Sequence, residues 1–198
     1  SQALEQIGTE ADCGRGGHEQ SSAWFELVPA ASDTISLHVA AGDKMRATVT
    51  VTGHEVAVHL TDQTTGHAFQ RHLHARLIDT TSAEWIVEAP SLCSGSACQT
   101  LPLADFGSTG FAFAKASSTS GQSGTIQSPA WNTTSISLFG SDRQLSDGGS
   151  RHPAVTAVPG PLGYGGSLFG VVYDGGPAST TPAIVREPGA ELVHGARQ

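Results

Sequence analysis

An all-β fold, two antiparallel sheets packed as a sandwich, is what these 198 residues predict. Apolar and polar residues alternate with period two in several segments, the pattern of strands that bury one face. Turn-forming clusters separate those segments, and no helical stretch lies between them. Only 14% of residues are charged and 24 are Gly, which suits many short strands joined by turns. One domain of ordinary size accommodates such a chain.

The strand candidates run in order along the chain. Residues 23–28 and 35–39 come first. Residues 45–51 follow, with Met45, Ala47, Val49 and Val51 on one face, and Val56, Val58 and Leu60 continue the alternation. Gly42 and Asp43 mark a turn before this pair, and Thr64, Thr65 and Gly66 mark one after it. Residues 69–77, 83–88, 106–113, 135–139 and 168–173 complete the set. The Ser/Thr/Gly-rich stretch 116–134 reads as a long surface loop or a pair of weak edge strands. It contains Asn132-Thr-Thr, a glycosylation sequon. Residues 146–149 give a further turn signal. After Tyr173 the apolar periodicity stops, so the domain is 1–174 and residues 175–198 form a disordered Gly/Pro-rich tail without chemistry.

Charge and cysteines narrow the setting. A net charge of −8 without a basic cluster offers phosphates no Lys/Arg surface, so nucleic acid is not an expected partner. Lys occurs only as Lys44 and Lys115, whereas nine His would join the cations on mild acidification. No apolar run approaches the length of a membrane span, and no signal peptide is present. A first residue of Ser rather than Met marks the chain as a processed or truncated product. Cys93 and Cys98 flank a flexible polar loop that closes a small ring without strain, which points to a local disulfide and an oxidising, extracellular compartment. Cys13 is then left over. His72 and His74 share one strand face, but no third ligand is indicated, and neither a metal nor a cofactor is expected.

The chemistry concentrates in SAEWIVEAP, residues 82–90, where aromatic and β-branched residues specify a strand that two carboxylates interrupt. On a strand Glu84, Ile86 and Glu88 share one face while Trp85 and Val87 share the other. The carboxylates then stand roughly 13 Å apart, too far to share a proton. EQIGTEAD (5–12) and SAWFELVP (22–29) add carboxylates in apolar surroundings.

These three phrases, in this order and spacing, resemble the eqolisins, the acid-acting glutamic peptidases, and their bacterial members in particular. The 93–98 loop and LPLADFGS (101–108) extend the likeness over roughly residues 2 to 113. The resemblance implies a sandwich of the concanavalin A-like lectin and glucanase type, whose concave face holds a catalytic Glu and Gln. In this numbering those are Glu88 and Gln6, with Glu84 the alternative carboxylate. Trp24 and Glu26 match positions lining the same face, and Glu10 an acidic position close behind the Gln. They are the expected substrate-binding residues.

Such a pair hydrolyses a peptide bond with water. The ionised Glu takes a proton as water attacks the carbonyl, and the Gln amide donates to the developing oxyanion. A carboxylate base titrating at about pH 4 to 5 implies an acid optimum. The expected protein is a secreted, monomeric endopeptidase acting on proteins or peptides, with no nucleic-acid or membrane partner. Family members carry two strands ahead of the Gln that this chain lacks, and Ser22 and Val28 replace a usual acidic residue and a usual aromatic. A lectin-like carbohydrate-binding module and an inactive fragment of the same fold are therefore the alternatives.

Overall fold

The computed structural model describes residues 3–13, 18–94, 97–101, 103–139, 155–174 and 196–197. Its strands are β1 (Leu4–Cys13), β2 (Glu19–Val28), β3 (Asp33–Ile35), β4 (Met45–Thr52), β5 (Glu55–Asp62), β6 (Ala68–His74), β7 (Val87–Glu88) and β8 (Ser91–Ser94). They continue with β9 (Ala97–Thr100), β10 (Ser108–Phe111), β11 (Lys115–Ser117), β12 (Ser123–Thr125), β13 (Leu138–Phe139), β14 (Val155–Pro159), β15 (Phe169–Tyr173) and β16 (Ala196–Arg197). A single 3-10 turn at Tyr164–Gly166 is the only helical element among the described residues.

Three sheets carry the architecture. The first runs β3-β2-β1-β16-β7, the second β4-β5-β6 and the third β10-β15-β14-β13. The long β1–β2 ladder is antiparallel from Leu4↔Val28 to Cys13↔Glu19. Its odd-numbered residues Ile7, Ala23 and Phe25 point into a core shared with Val56, Val58 and Leu60 of β5 and Met45 and Ala47 of β4. Alternation in β4 and β5 is what makes this possible, because each supplies an apolar row every second residue. The two strands meet at Gly53, whose φ of 62° meets the left-handed backbone that a two-residue hairpin demands. A second core joins Val87 to Phe111, Phe169, Val171 and Ala157 beneath the third sheet, with the Phe111 and Phe169 rings stacked at 4.9 Å. The all-β sandwich expected from composition and periodicity is thus the observed fold.

Several strands differ from expectation. The predicted strand 35–39 pairs only as Asp33–Ile35, although Leu37 remains buried in the first core. Of the predicted strand 83–88, only Val87–Glu88 is a strand, level with Ala196 and Arg197 of β16. The 116–134 stretch forms the short hairpin β11–β12, the weak-strand option of the two. A strand that periodicity did not flag is β1, whose polar sequence hides it. Within the segment expected to be a tail, Ala196–Arg197 pairs in parallel with both β1 and β7, the one departure from antiparallel pairing among the described strands. The remainder of that segment and the turn signal at 146–149 lie outside the described residues.

Candidate active site

The β1–β2 ladder sorts its side chains by parity. With Ile7 and Phe25 in the core, Gln6, Gly8 and Glu10 take the opposite face, and their partners Glu26, Trp24 and Ser22 share it. Gln6 is buried to 7% exposure, a costly position for an amide without partners. It has one: Gln6 Nε2 donates to Glu26 Oε2. A primary amide carries two N–H donors, so one remains for a second acceptor. Glu10 is likewise engaged, accepting from the Ser22 hydroxyl directly across the ladder. Trp24 lies between these two pairs, opposite Gly8, and at 1% exposure forms the floor of the face.

Glu88 reaches the same face from the other end of the sheet. Val87 is buried in the second core, so its successor points outward. Register makes the relation explicit, since Glu88 is level with Arg197 and Arg197 with Glu10. Level residues in adjoining strands point the same way, which aligns Glu88 with Glu10 and hence with Gln6. Two strand spacings across and four residues along separate the Cα atoms of Gln6 and Glu88 by about 16 Å on a flat sheet. Glu84, four residues earlier, sits in exposed non-strand chain and accepts from the Ser82 hydroxyl at 3.0 Å. It is off the sheet that carries the other candidates.

Two further carboxyls have unusual surroundings. Glu5 points to the core side, its Oε1 buried without a hydrogen-bond partner. Burial raises its pKa, reinforced by the nearby Asp79 carboxyl and opposed by hydrogen bonds from backbone N–H groups. Asp62 is fully buried at the β5–β6 turn, where the Thr65 hydroxyl and the Thr64 and Thr65 N–H groups donate to it. The Thr65 hydroxyl first, then those N–H groups, hold its pKa down against the opposing effect of burial.

Sequence reasoning named Gln6, Glu10, Trp24, Glu26 and Glu88, and the sheet gathers all five on one face. It missed that Glu26 is the partner of Gln6, a relation only register reveals. It also missed what Ser22 does: at a position where an acid was expected, a hydroxyl donates to Glu10. Cys93 and Cys98 are register partners across the β8–β9 hairpin. Their side chains lie outside the described ones, as does that of Cys13. Among the described residues no group of three or more His, Cys, Asp or Glu could hold a metal ion, and no helix is long and apolar enough to cross a membrane.

Residues 1–144 match the Peptidase A4 family. Among solved structures, the chain resembles aspergilloglutamic peptidase from Aspergillus niger with a TM-score of 0.62 and 24% identity, covering 87% of this chain and 90% of that one. Among curated proteins no match is found.

Proposed function

Since the chain belongs to the peptidase A4 family, we propose that it is a secreted glutamic endopeptidase in which Glu88 activates water and Gln6 stabilises the oxyanion. The Glu88 carboxylate removes a proton from water as the oxygen attacks the peptide carbonyl carbon. Negative charge moves to the carbonyl oxygen, where the Gln6 N–H that Glu26 leaves free donates to it. Collapse of the tetrahedral intermediate breaks the C–N bond, and protonated Glu88 returns its proton to the departing amine. An acid and an amine leave, and the carboxylate is restored.

What carries this reading is the common face of Gln6 and Glu88, reinforced by the hydrogen bond that fixes the Gln6 amide. A general base works best near its own pKa, so activity should peak in acid. The substrate is a protein or peptide and the enzyme a monomer. A Cys93–Cys98 disulfide, natural between directly opposed strand residues, fits an extracellular protein. It would appear as a mass of two fewer hydrogens after alkylation without reduction.

The deciding measurement is haemoglobin digestion at about pH 3.5, near the carboxylate range. Glu88→Gln should abolish turnover, and Gln6→Ala should lower kcat by about 100- to 1000-fold, the usual loss of an oxyanion donor. Glu88→Gln should melt like the parent, while Gln6→Ala should melt somewhat lower through loss of its buried hydrogen bond to Glu26 yet remain folded at the assay temperature. Undiminished activity in either one removes that residue from the mechanism.

A further inference from the structure

The two sheets that share the first core end in β3 and β7 and in β4 and β6, and these edges are not alike. β3 and β7 are three and two residues long. β6 carries Arg71 on its core-facing row, level with Val58, where the guanidinium stands over the Phe25 ring and pairs with Asp33. Short strands and inward-pointing charges are devices that keep sheet edges from pairing with other molecules. β4 has neither. It runs from Met45 to Thr52 in unbroken register with β5, without proline, and Arg46 is its one charged residue.

The β4 edge is chemically open as well. Thr52↔Glu55 closes the two-residue loop at Gly53 and is therefore a hydrogen-bonded pair, and such pairs alternate along an antiparallel ladder. Thr50, Thr48 and Arg46 accordingly bond toward β5, while Ala47, Val49 and Val51 direct their N–H and C=O groups away from it. Among the described residues no strand receives those groups. The core is unfinished at the same place. On β5 the row Val56, Val58 and Leu60 is at most 1% exposed, whereas Val51 and Val49, level with Val56 and Val58, are only half-buried. One more strand there would cover apolar surface and satisfy a row of backbone groups together.

We propose that this edge is the contact of a two-fold dimer, in which β4 pairs antiparallel with β4 of a second copy about Val49. Val49 then stands opposite the partner's Val49, Ala47 opposite the partner's Val51, and Thr48 opposite the partner's Thr50. Every residue keeps its face, the open groups of Ala47, Val49 and Val51 meet one another, and threonine faces threonine, a favourable cross-strand pair. The core row of Val56 and Val51 continues into the partner's Ala47 and Leu60. Charge selects the same occupant. Arg46 falls opposite the partner's Thr52, whose level neighbour is the partner's Glu55, so each end of the ladder brings a base of one copy toward an acid of the other. No like charges stand level. An interface of this kind closes on itself and stops at two copies. A single ladder of this length falls below the about 1,200 Å² of a stable interface, so association is weak and the monomer prevails at the dilution of an activity assay. The core side of β4 packs beneath the core side of β1, which leaves the Gln6 face open in both copies.

Sedimentation velocity of the full chain from about 1 to about 300 µM, the range of weak and transient association, is the test. We expect a reversible monomer–dimer equilibrium, with amide exchange at Ala47, Val49 and Val51 slowing as the dimer fills. Thr48→Lys combined with Thr50→Lys sets like charges opposite each other across the two-fold and should raise the dissociation constant about tenfold. Thr48→Glu combined with Thr50→Glu should do the same, and mixing the two variants should restore a dimer with one chain of each. Both pairs of substitutions lie on exposed outward positions, so the variants should stay folded. A parent chain that remains monomeric at the highest concentration, or that assembles beyond two copies, would overturn the proposal. So would undiminished association of the lysine variant, a mixture that restores no dimer, or amide exchange at these three residues that ignores concentration. Because association is read without turnover, its outcome is independent of the peptidase reading.

Discussion

Under the proposed mechanism, the Gln6–Glu26 hydrogen bond sets how Gln6 is used. A buried amide with one N–H committed to a carboxylate has its remaining donor fixed in direction, and an oxyanion donor is effective only when aimed in advance. Glu26→Ala should leave KM nearly unchanged while kcat falls by about 10- to 100-fold, a loss that small misplacements produce. Glu26→Gln, which can still accept through its oxygen, should recover part of it. An unchanged kcat in Glu26→Ala would remove its positioning role. Glu5 is the opposite kind of carboxyl, one whose surroundings penalise its charge. Its folded-state pKa is raised, so the ionised form costs stability at pH values above the ordinary glutamate range of about 4.3, and the cost vanishes below it. Glu5→Gln should therefore raise Tm at neutral pH, with the gain shrinking as the pH drops through that range. Asp62 follows the reverse sign. Its lowered pKa contributes stability above the ordinary aspartate range of about 3.9, and that stability is lost as pH falls toward its folded value. Thermal melts of Asp62→Asn should accordingly differ most from the parent near neutrality.

At the level of elements, β16 is the piece on which the site geometry depends. It stands between the strand that carries Gln6 and the strand that carries Glu88, bonded to both by two residues of parallel ladder. Removing it leaves β1 with an open edge and β7 with no partner in that sheet, and open edges invite association between molecules. Deletion of residues 196–198 should cost a few kcal/mol, the worth of a handful of ladder hydrogen bonds. It should lower peptidase activity at least tenfold. Activity equal to the parent's would mean that β7 is held by the second core alone. The element boundaries carry a related lesson. The aromatic and β-branched run at 83–88 has strong strand character, yet only Val87 and Glu88 form a strand, because a ladder needs a neighbour as well as a propensity. Conversely β1 spans Leu4–Cys13 with Ile7 as its one buried hydrophobic side chain among the described residues. The face opposite the core carries Gln6, Gly8 and Glu10, and Glu5 and Thr9 interrupt the core face, which removes the alternation by which strands are recognised.

The whole molecule couples its site to two separate cores. The first, around Ile7 and Phe25, supports the strand of Gln6, and the second, around Phe111 and Phe169, supports Val87 and so Glu88. Phe111→Ala should destabilise the fold by about 3 to 5 kcal/mol, as truncation of a buried aromatic does. Activity should decline even at temperatures where the variant remains folded, because Glu88 loses the packing behind it. Sequence alone determined the all-β class, the alternating core strands β4 and β5, and the identity of the polar residues that gather on one face. Those are properties of local pattern and of three short phrases, both written directly in residue order. Tertiary structure alone decided that Glu26 holds Gln6, that Glu88 stands level with Glu10, and that Ala196–Arg197 lies between them. Each of these is a matter of register between strands distant in the chain. A shift of one residue reverses which face every side chain occupies, so only the folded ladder, set by the packing of both cores, can choose among the alternatives.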